Sequence, residues 1–202
     1  MEIIFATKNK GKMLEVKEIM KDTQFVPLSM EDAGVDIDVV EDGAAFEENA
    51  SKKAYEIMKA TGKITLADDS GLEIDFLDKA PGVYSARYLG EHTDYSYKNT
   101  HILHLMKDVP DENRTARFVC AIAAAIPEGI AGHEQIFVEK AALNGLIGHE
   151  IAGKGGFGYD PIFFVPMLGM TTAEMTPEQK NGISHRGKAL RQMKEKLMKL
   201  LG

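Results

Sequence analysis

The chemistry in this chain concentrates in three short segments. Lys180-Asn181-Gly182-Ile183-Ser184-His185-Arg186 sets a lysine, a histidine and an arginine at the mouth of a C-terminal helix, a cluster that suits an anionic or carbonyl-rich ligand. Near the N-terminus, Thr7-Lys8-Asn9-Lys10-Gly11-Lys12 joins an apolar run to an amphipathic one. Backbone N–H groups, the positive end of a helix and lysine side chains would converge there, and phosphate is the natural guest. Asp68-Asp69-Ser70-Gly71 reads as an acidic turn with two carboxylates side by side, and Glu41, at the end of an earlier extended run, offers a further oxygen donor. Hard cations such as Mg²⁺ are held by one or two carboxylates together with water and substrate phosphates. Polyphosphate plus a divalent metal is the combined reading.

Each segment also has a plainer explanation. A lysine-rich loop is what a solvated surface gives, Asp-Asp-Ser-Gly is a common turn composition, and His185 could be a structural histidine. The first loop lacks the Gly-x-x-x-x-Gly-Lys-Ser/Thr pattern of P-loop nucleotide chemistry. Gly153-Lys154-Gly155-Gly156-Phe157-Gly158 contains G-x-G-x-x-G but runs into Tyr159-Asp160-Pro161 and a strand, so it fails the context of a dinucleotide fingerprint. Those glycines either open the backbone to a flat ligand, with Phe157 free to stack on a base, or form a tight loop around a core phenylalanine. His101 and His104 have metal-like spacing without further ligands nearby and are set aside, and His92, His133 and His149 give no signal.

The elements that must position these residues follow from apolar periodicity. Glu2 to Thr7 reads as a buried strand, and Gly11 to Lys21 as a helix with Met13, Val16, Ile19 and Met20 on one side. Val35 to Val40 alternates as a strand. A helix over about Ala44 to Thr61 carries the stripe Phe46, Ala50, Ala54, Ile57 and Met58 and stops at Gly62, with Asn49 and Lys53 one turn apart on a shared face. Lys63 to Ala67 and Leu72 to Leu77 read as two strands flanking the acidic turn. A helix over about Asp94 to Lys107, strands over Ala116 to Ile126, Glu134 to Leu143 and Ile162 to Val165, and a capping box at Thr176-Pro177-Glu178-Gln179 complete the pattern. Ser184 can cap the last helix, whose stripe is Leu190, Met193, Leu197 and Leu201. Strands and helices mixed in this way predict an α/β or α+β fold, a mixed sheet with flanking helices, in a single domain.

Composition narrows the partners. With 202 residues, 44% hydrophobic and 27% charged, the chain can bury an ordinary core. Its longest apolar run, Phe118 to Ile126, is far short of the ~20 residues a membrane crossing needs, and no signal-peptide layout opens it, so a soluble cytoplasmic protein is expected. The single cysteine, Cys120, lies inside that run and is expected to be an inert buried thiol. A net charge of -7 argues against a nucleic-acid partner.

Taken in order along essentially the whole chain, these segments resemble the inosine triphosphate pyrophosphatase family, which hydrolyses non-canonical purine nucleoside triphosphates (ITP, dITP, XTP) to the monophosphate and pyrophosphate. The matching residues are Phe5-Ala6-Thr7 with Asn9 and Lys12, Glu41, Phe46-Glu47-Glu48-Asn49-Ala50 with Lys53, Ala67-Asp68-Asp69-Ser70-Gly71-Leu72, Pro81-Gly82-Val83-Tyr84-Ser85-Ala86-Arg87, Gly155-Gly156-Phe157-Gly158-Tyr159-Asp160-Pro161, and Lys180 with Ser184-His185-Arg186. The resemblance implies an elongated mixed fold with two lobes around a nucleotide-binding cleft, and a homodimer. It also implies that the loop Thr7, Lys8, Asn9, Lys10, Gly11, Lys12 binds the triphosphate with help from Lys53. Glu41 and Asp69 would serve Mg²⁺, and Asp69 would be the catalytic base. Ser70, Phe157, Gly158, Tyr159, Asp160, Lys180, His185 and Arg186 would hold the nucleoside. Many relatives have Gly where this chain has Lys8, whose added charge favours phosphate.

In that reading, donors from Arg186, His185 and backbone N–H groups aimed at a purine 6-carbonyl would be left unpaired against adenine, a mismatch that can reach discrimination of about 10⁴-fold. Two alternatives stand beside it. One is a Maf-type pyrophosphatase, although the serine-rich N-terminal loop of that group is missing. The other is a non-catalytic nucleotide-binding regulator, which would have no need of a water-activating carboxylate.

Overall fold

The protein, described by a computed structural model over residues 1–202, folds around one seven-stranded mixed sheet. In chain order the elements are β1 (Glu2–Phe5), α1 (Lys10–Met20), β2 (Val26–Ser29), α2 (Phe46–Thr61), β3 (Thr65–Ile74), α3 (Tyr95–Leu105), β4 (Thr115–Ile126), α4 (Glu128–Ala131), β5 (Gln135–Ile147), β6 (Phe163–Val165), β7 (Met170–Thr171), α5 (Pro177–Ile183) and α6 (His185–Leu201). The strand order is β2-β1-β3-β4-β5-β6-β7, with β1 parallel to β2 and β3, and β6 antiparallel to β5 and β7. The expected mixed α/β architecture is therefore present.

The chain divides into two compact units, the first Met1–Asp69, Cys120–Ala141 and Arg186–Gly202, the second Ser70–Val119 and Ala142–His185. Each has its own core. In the first, Ile3, Phe5, Ile64, Leu66, Ile122 and Ala124 pack against Met13, Val16 and Met20 of α1 and Leu190, Met193 and Leu197 of α6. In the second, Leu72, Ile74, Phe118 and Ile147 pack with Ile102 and Met106 of α3 and with Tyr159 and Phe163. Cys120 is a buried free thiol of the first core.

Two features depart from the sequence reading, and both have a physical cause. Val35 to Val40 forms no strand. Val35, Ile37 and Val39 are half-buried and Asp36 and Asp38 exposed, so the alternation is real, but the segment has no ladder partner. Alternation reports which side faces the core, and pairing has to come from elsewhere. The partner of β1 is instead Val26-Pro27-Leu28-Ser29, which short length and a proline disguise. Proline is tolerated because β2 is an edge strand of the sheet. The second departure concerns the acidic segment. It is no turn: Asp68-Asp69-Ser70-Gly71 lies inside the continuous strand β3. Asp, Ser and Gly are poor strand formers, but here their environment overrides propensity.

Helix ends follow local chemistry. Asn9 caps α1, its side chain accepting from the Gly11 and Lys12 N–H groups, and α2 stops at Gly62 in the left-handed region (φ 66°). Thr176 and Gln179 form the predicted capping box on α5.

Arg114 is the main polar tie of the second unit. It is 2% exposed, and its guanidinium donates to the carbonyls of Ile147 (2.7 Å), Met106, Val109 (3.3 Å) and Gly148. Two of those carbonyls belong to the end of α3 and the turn after it, where the helix has run out of N–H donors for its last carbonyls. Arg114→Met keeps the stem but strands these acceptors, and should destabilise by about 3 kcal/mol. Thermal unfolding should show a melting temperature lower by several degrees; an unchanged value would mean the carbonyls find water instead.

Candidate active site

Strand periodicity sorts the two adjacent carboxylates of β3. Successive side chains point to opposite faces, so Asp68 shares a face with Leu66 and Asp69 with Ala67. The Leu66 face is the one covered by α1 and α6, and there Asp68 meets Lys12 Nζ at 2.8 Å and Arg186 Nε at 3.2 Å. Arg186 Nη1 also donates to Glu15 of α1 at 2.7 Å. Asp68 is fully buried. Burial alone would raise its pKa, but the cations Lys12, Arg186 and Lys53 outweigh that and hold the carboxyl far below the usual range. Arg186 is shifted upward for the reciprocal reason, with Asp68 and Glu15 overcoming the penalty of burial.

Asp69 faces α2. Its Oδ2 accepts from Asn49 Nδ2 at 2.9 Å. Its pKa is pushed up to about 6, mainly by burial and further by the nearby charges of Glu41 and Asp68, against the lowering effects of Asn49 and Lys53. Lys53 lies one turn along α2 from Asn49 and pairs with Glu41. Although burial disfavours its charge, Asp68 and Glu41 raise its pKa above the ordinary lysine value. Asp68 and Asp69 therefore do not form the side-by-side pair that the sequence suggested. One is neutralised by cations, and the other is strained toward protonation.

The first loop frames the same half-site. Thr7 Oγ1 accepts the Asn9 N–H at 3.1 Å, and Asn9 Oδ1 takes those of Gly11 (2.8 Å) and Lys12 (3.2 Å). Two of the helix-start N–H groups that the sequence offers to an anion are thus already satisfied. Those of Lys8 and Lys10 have no internal acceptor, and both side chains are exposed. A cavity of about 780 Å³ adjoins this loop, lined by Thr7 to Lys10 with Met13, Leu14, Met30 and Val35. None of Glu41, Lys53, Asp68 or Asp69 lines it, and its largely apolar floor does not suit the charged chemistry gathered on β3.

A divalent cation fits the residues present. Glu41 and Asp69 are hard oxygen donors close enough for Glu41 to raise the Asp69 pKa, a repulsion that a bound cation would relieve. No group of three or more His, Cys, Asp or Glu side chains forms a complete metal cage. The fit is to a cation that takes the rest of its ligands from water and phosphate.

The second unit holds the other candidate residues. Phe157 is partly exposed, with Lys180 Nζ 4.7 Å from its ring centroid. Asp160 is buried and organises the segment: Oδ2 accepts the Phe157 N–H (2.7 Å) and Lys180 Nζ (2.5 Å), and Oδ1 accepts Thr172 Oγ1 (2.8 Å). Gly156 adopts φ 70°, and a Cβ there would collide with Asp160 Oδ2. The Gly158 carbonyl accepts from Asn99 of α3 at 3.0 Å, and the Tyr159 hydroxyl donates to the Ser85 carbonyl at 2.8 Å. His185 is 7% exposed and stacks on Phe118 at 4.9 Å. Ser70 follows Asp69 in β3 but belongs to this second unit.

The structure thus gathers Lys12, Glu41, Lys53, Asp69 and Arg186 in the first unit, and Phe157, Asp160, Lys180 and His185 in the second. Arg186, expected with His185 at a base, has its guanidinium on Asp68 and Glu15. Asn49 and Glu15 were not assigned roles by sequence. A buried polar residue beside Phe46 and Ala50 was a signal for Asn49, and the Lys12/Glu15 spacing of i, i+3 was one for Glu15.

Within the first unit, a loop with free backbone N–H groups at the start of α1 and a buried carboxylate on β3 whose pKa is pushed up to about 6 suit an α/β protein that handles phosphorylated ligands. Residues 3–196 match the Ham1 family, and the chain belongs to it. It is 48% identical over 206 aligned residues to a dITP/XTP pyrophosphatase of Clostridium perfringens, covering 99% of this chain and 98% of that one. It is 46% identical to a dITP/XTP pyrophosphatase of Desulforamulus reducens, with 99% and 97% covered. Among solved structures, a HAM1 protein from Coxiella burnetii superposes with a TM-score of 0.88 at 39% identity, covering 98% of this chain and 99% of that one.

The raised pKa of Asp69 has a consequence for stability. Its folded value of about 6 lies above the unfolded value of 3.8, so the protonated form is favoured in the folded state. The stability this contributes is complete below about pH 4 and is lost as pH rises through 6. Asp69→Asn should therefore stabilise the fold at pH 7.5 by up to about 3 kcal/mol, read as a higher melting temperature, and change it little at pH 4. A variant less stable than the parent at pH 7.5 would contradict this.

Proposed function

We propose that this chain hydrolyses dITP, ITP and XTP to the nucleoside monophosphate and pyrophosphate, in the cytoplasm, with Mg²⁺. The observation that carries the reading is the division of the two carboxylates of β3: Asp68 is buried between Lys12 and Arg186, while Asp69 turns to α2, where Asn49 holds it beside the Lys53–Glu41 pair and its pKa is pushed up to about 6. A base near the working pH can accept a proton from water and still be ionised enough to act. The relatives named as dITP/XTP pyrophosphatases support the substrate class.

Asp69 would orient a water and take its proton as the water oxygen bonds to the α-phosphorus. The bond from that phosphorus to the bridging oxygen breaks, and pyrophosphate leaves as one unit. Lys12 and Lys53, with the N–H groups of Lys8 and Lys10, would hold the phosphates and offset the charge that grows on them. Glu41 and Asp69 would hold Mg²⁺, whose chemistry here is to neutralise phosphate charge and polarise the reacting phosphoryl group. Phe157 would stack on the base, with its position fixed through Asp160. Donors to the purine 6-carbonyl would come from Lys180, His185 and backbone N–H groups, and Arg186 would act through Asp68.

With Mg²⁺, the protein should release pyrophosphate from ITP, dITP and XTP, with kcat/KM for ATP about 10²- to 10⁴-fold lower. Separate assays for pyrophosphate and orthophosphate check this. Orthophosphate as the product, or equal rates with ATP, would rule the proposal out. A homodimer is proposed on the family resemblance; sedimentation equilibrium should give a particle of twice the chain mass, and a monomer at micromolar concentration would count against it.

A further inference from the structure

Asn49 stands out as a polar side chain where the pattern calls for an apolar one. It occupies the buried stripe of α2 with Phe46 and Ala50, has no exposed surface, and is a residue type that helix interiors disfavour. A buried amide is tolerated only when its donors and acceptor are used. Its Oδ1 accepts the Gly43 N–H at 2.8 Å, and its Nδ2 donates to Asp69 Oδ2 at 2.9 Å. The orientation of the amide is not arbitrary. A backbone N–H can only donate, so the oxygen must face Gly43, and the NH₂ group must then face the carboxylate.

Gly43 is shaped for this contact. A Cβ at that position would lie 2.7 Å from Asn49 Oδ1 and 2.9 Å from Glu48 Cβ, so only glycine lets the backbone approach. The neighbouring Ala44 N–H is taken by Glu48 Oε2 at 2.8 Å, which pins the same turn a second time. Gly43 follows Glu41 by two residues, so the amide ties the segment carrying Glu41 to the carboxylate on β3.

We infer that Asn49 is the positioning residue for Asp69: it clamps Oδ2 through an amide whose orientation Gly43 sets, and so presents Oδ1 to the attacking water. The inference rests on Asp69 being the base. It makes Asn49 a contributor to turnover without contact to the nucleotide, because a misplacement of about 1 Å in a reacting group can lower a rate about 100-fold while leaving substrate affinity alone.

The test is steady-state kinetics with ITP and Mg²⁺ on Asn49→Ala, Asn49→Asp, Gly43→Ala and, in parallel, Asp69→Asn, each with a melting temperature. For Asn49→Ala, kcat should fall about 10- to 100-fold with KM changed less than about 3-fold. Asn49→Asp keeps an acceptor for the Gly43 N–H but turns a second carboxylate toward Asp69, so its kcat should be lower still. A residue that merely tethers the 41–44 segment predicts the opposite order, with the Asp variant at least as active as the Ala variant. That order would overturn the inference, as would a loss confined to KM. Gly43→Ala alters no functional group and displaces Asn49 from behind. It should reproduce the fall in kcat at constant KM, and it decides the matter if Asn49→Ala does not fold. Normal turnover in Asp69→Asn would remove the reading of Asp69 as base. An inactive Asp69→Asn beside a fully active Asn49→Ala would remove only the role of Asn49.

Discussion

The burial of Asp68 between Lys12 and Arg186 is the interaction on which the first unit depends. It joins three elements at one point, since the carboxylate comes from β3, the lysine from α1 and the arginine from the start of α6. Glu15 completes the set on the far side of Arg186, so that two anions meet two cations within this cluster. Replacing such a cluster by apolar groups can be neutral for stability, but removing one member leaves a buried charge without compensation, typically at a cost of about 3–5 kcal/mol. The same arrangement allows an Asp-Asp pair to exist within a central strand. With Asp68 compensated, the second carboxylate can be turned to the opposite face, where burial and other carboxylates raise its proton affinity.

The two faces of β3 divide the labour. One fixes α1, and with it Lys12 and the first loop, in register with the strand. The other exposes Asp69 to α2, where Asn49, Lys53 and the Glu41 segment surround it. The charge of Lys53 is held by Glu41 and Asp68 together, and this lets a lysine remain protonated despite its burial. The raised proton affinity of Asp69 is a by-product of the way charges are apportioned around one strand, and no unusual residue is required.

Much of this was legible in the sequence. Helical periodicity located α1, α2, α3 and α6, with Met13, Val16, Ala50, Ile57, Leu190 and Met193 all buried as expected. The loop residues Thr7 to Lys12, the carboxylate Asp69 and the segment from Phe157 to Asp160 were recognisable as motifs, and family resemblance joined them. What could not be read was anything decided by long-range charge. Local propensity makes Asp68-Asp69-Ser70-Gly71 a turn, whereas in the fold it lies in a strand between β1 and β4, its first carboxylate compensated by Lys12 and, from more than a hundred residues away, by Arg186. For the same reason nothing local in the sequence announces that Arg186, beside His185, also pairs its guanidinium with Asp68 and Glu15. Val35 to Val40 shows the converse limit: alternation is visible locally, but the presence of a neighbouring strand is not.

In the second unit, the shape of the segment around Phe157 is imposed from behind. Asp160 holds the backbone N–H of Phe157, Gly156 leaves room for that carboxylate, and Asn99 holds the carbonyl of Gly158. None of these contacts involves the phenyl ring itself. The aromatic surface is therefore separable from its mounting, and evolution could exchange the ring at this position while the loop keeps its course. The glycine and aspartate have no such latitude, because altering either would unseat whatever ring the loop displays.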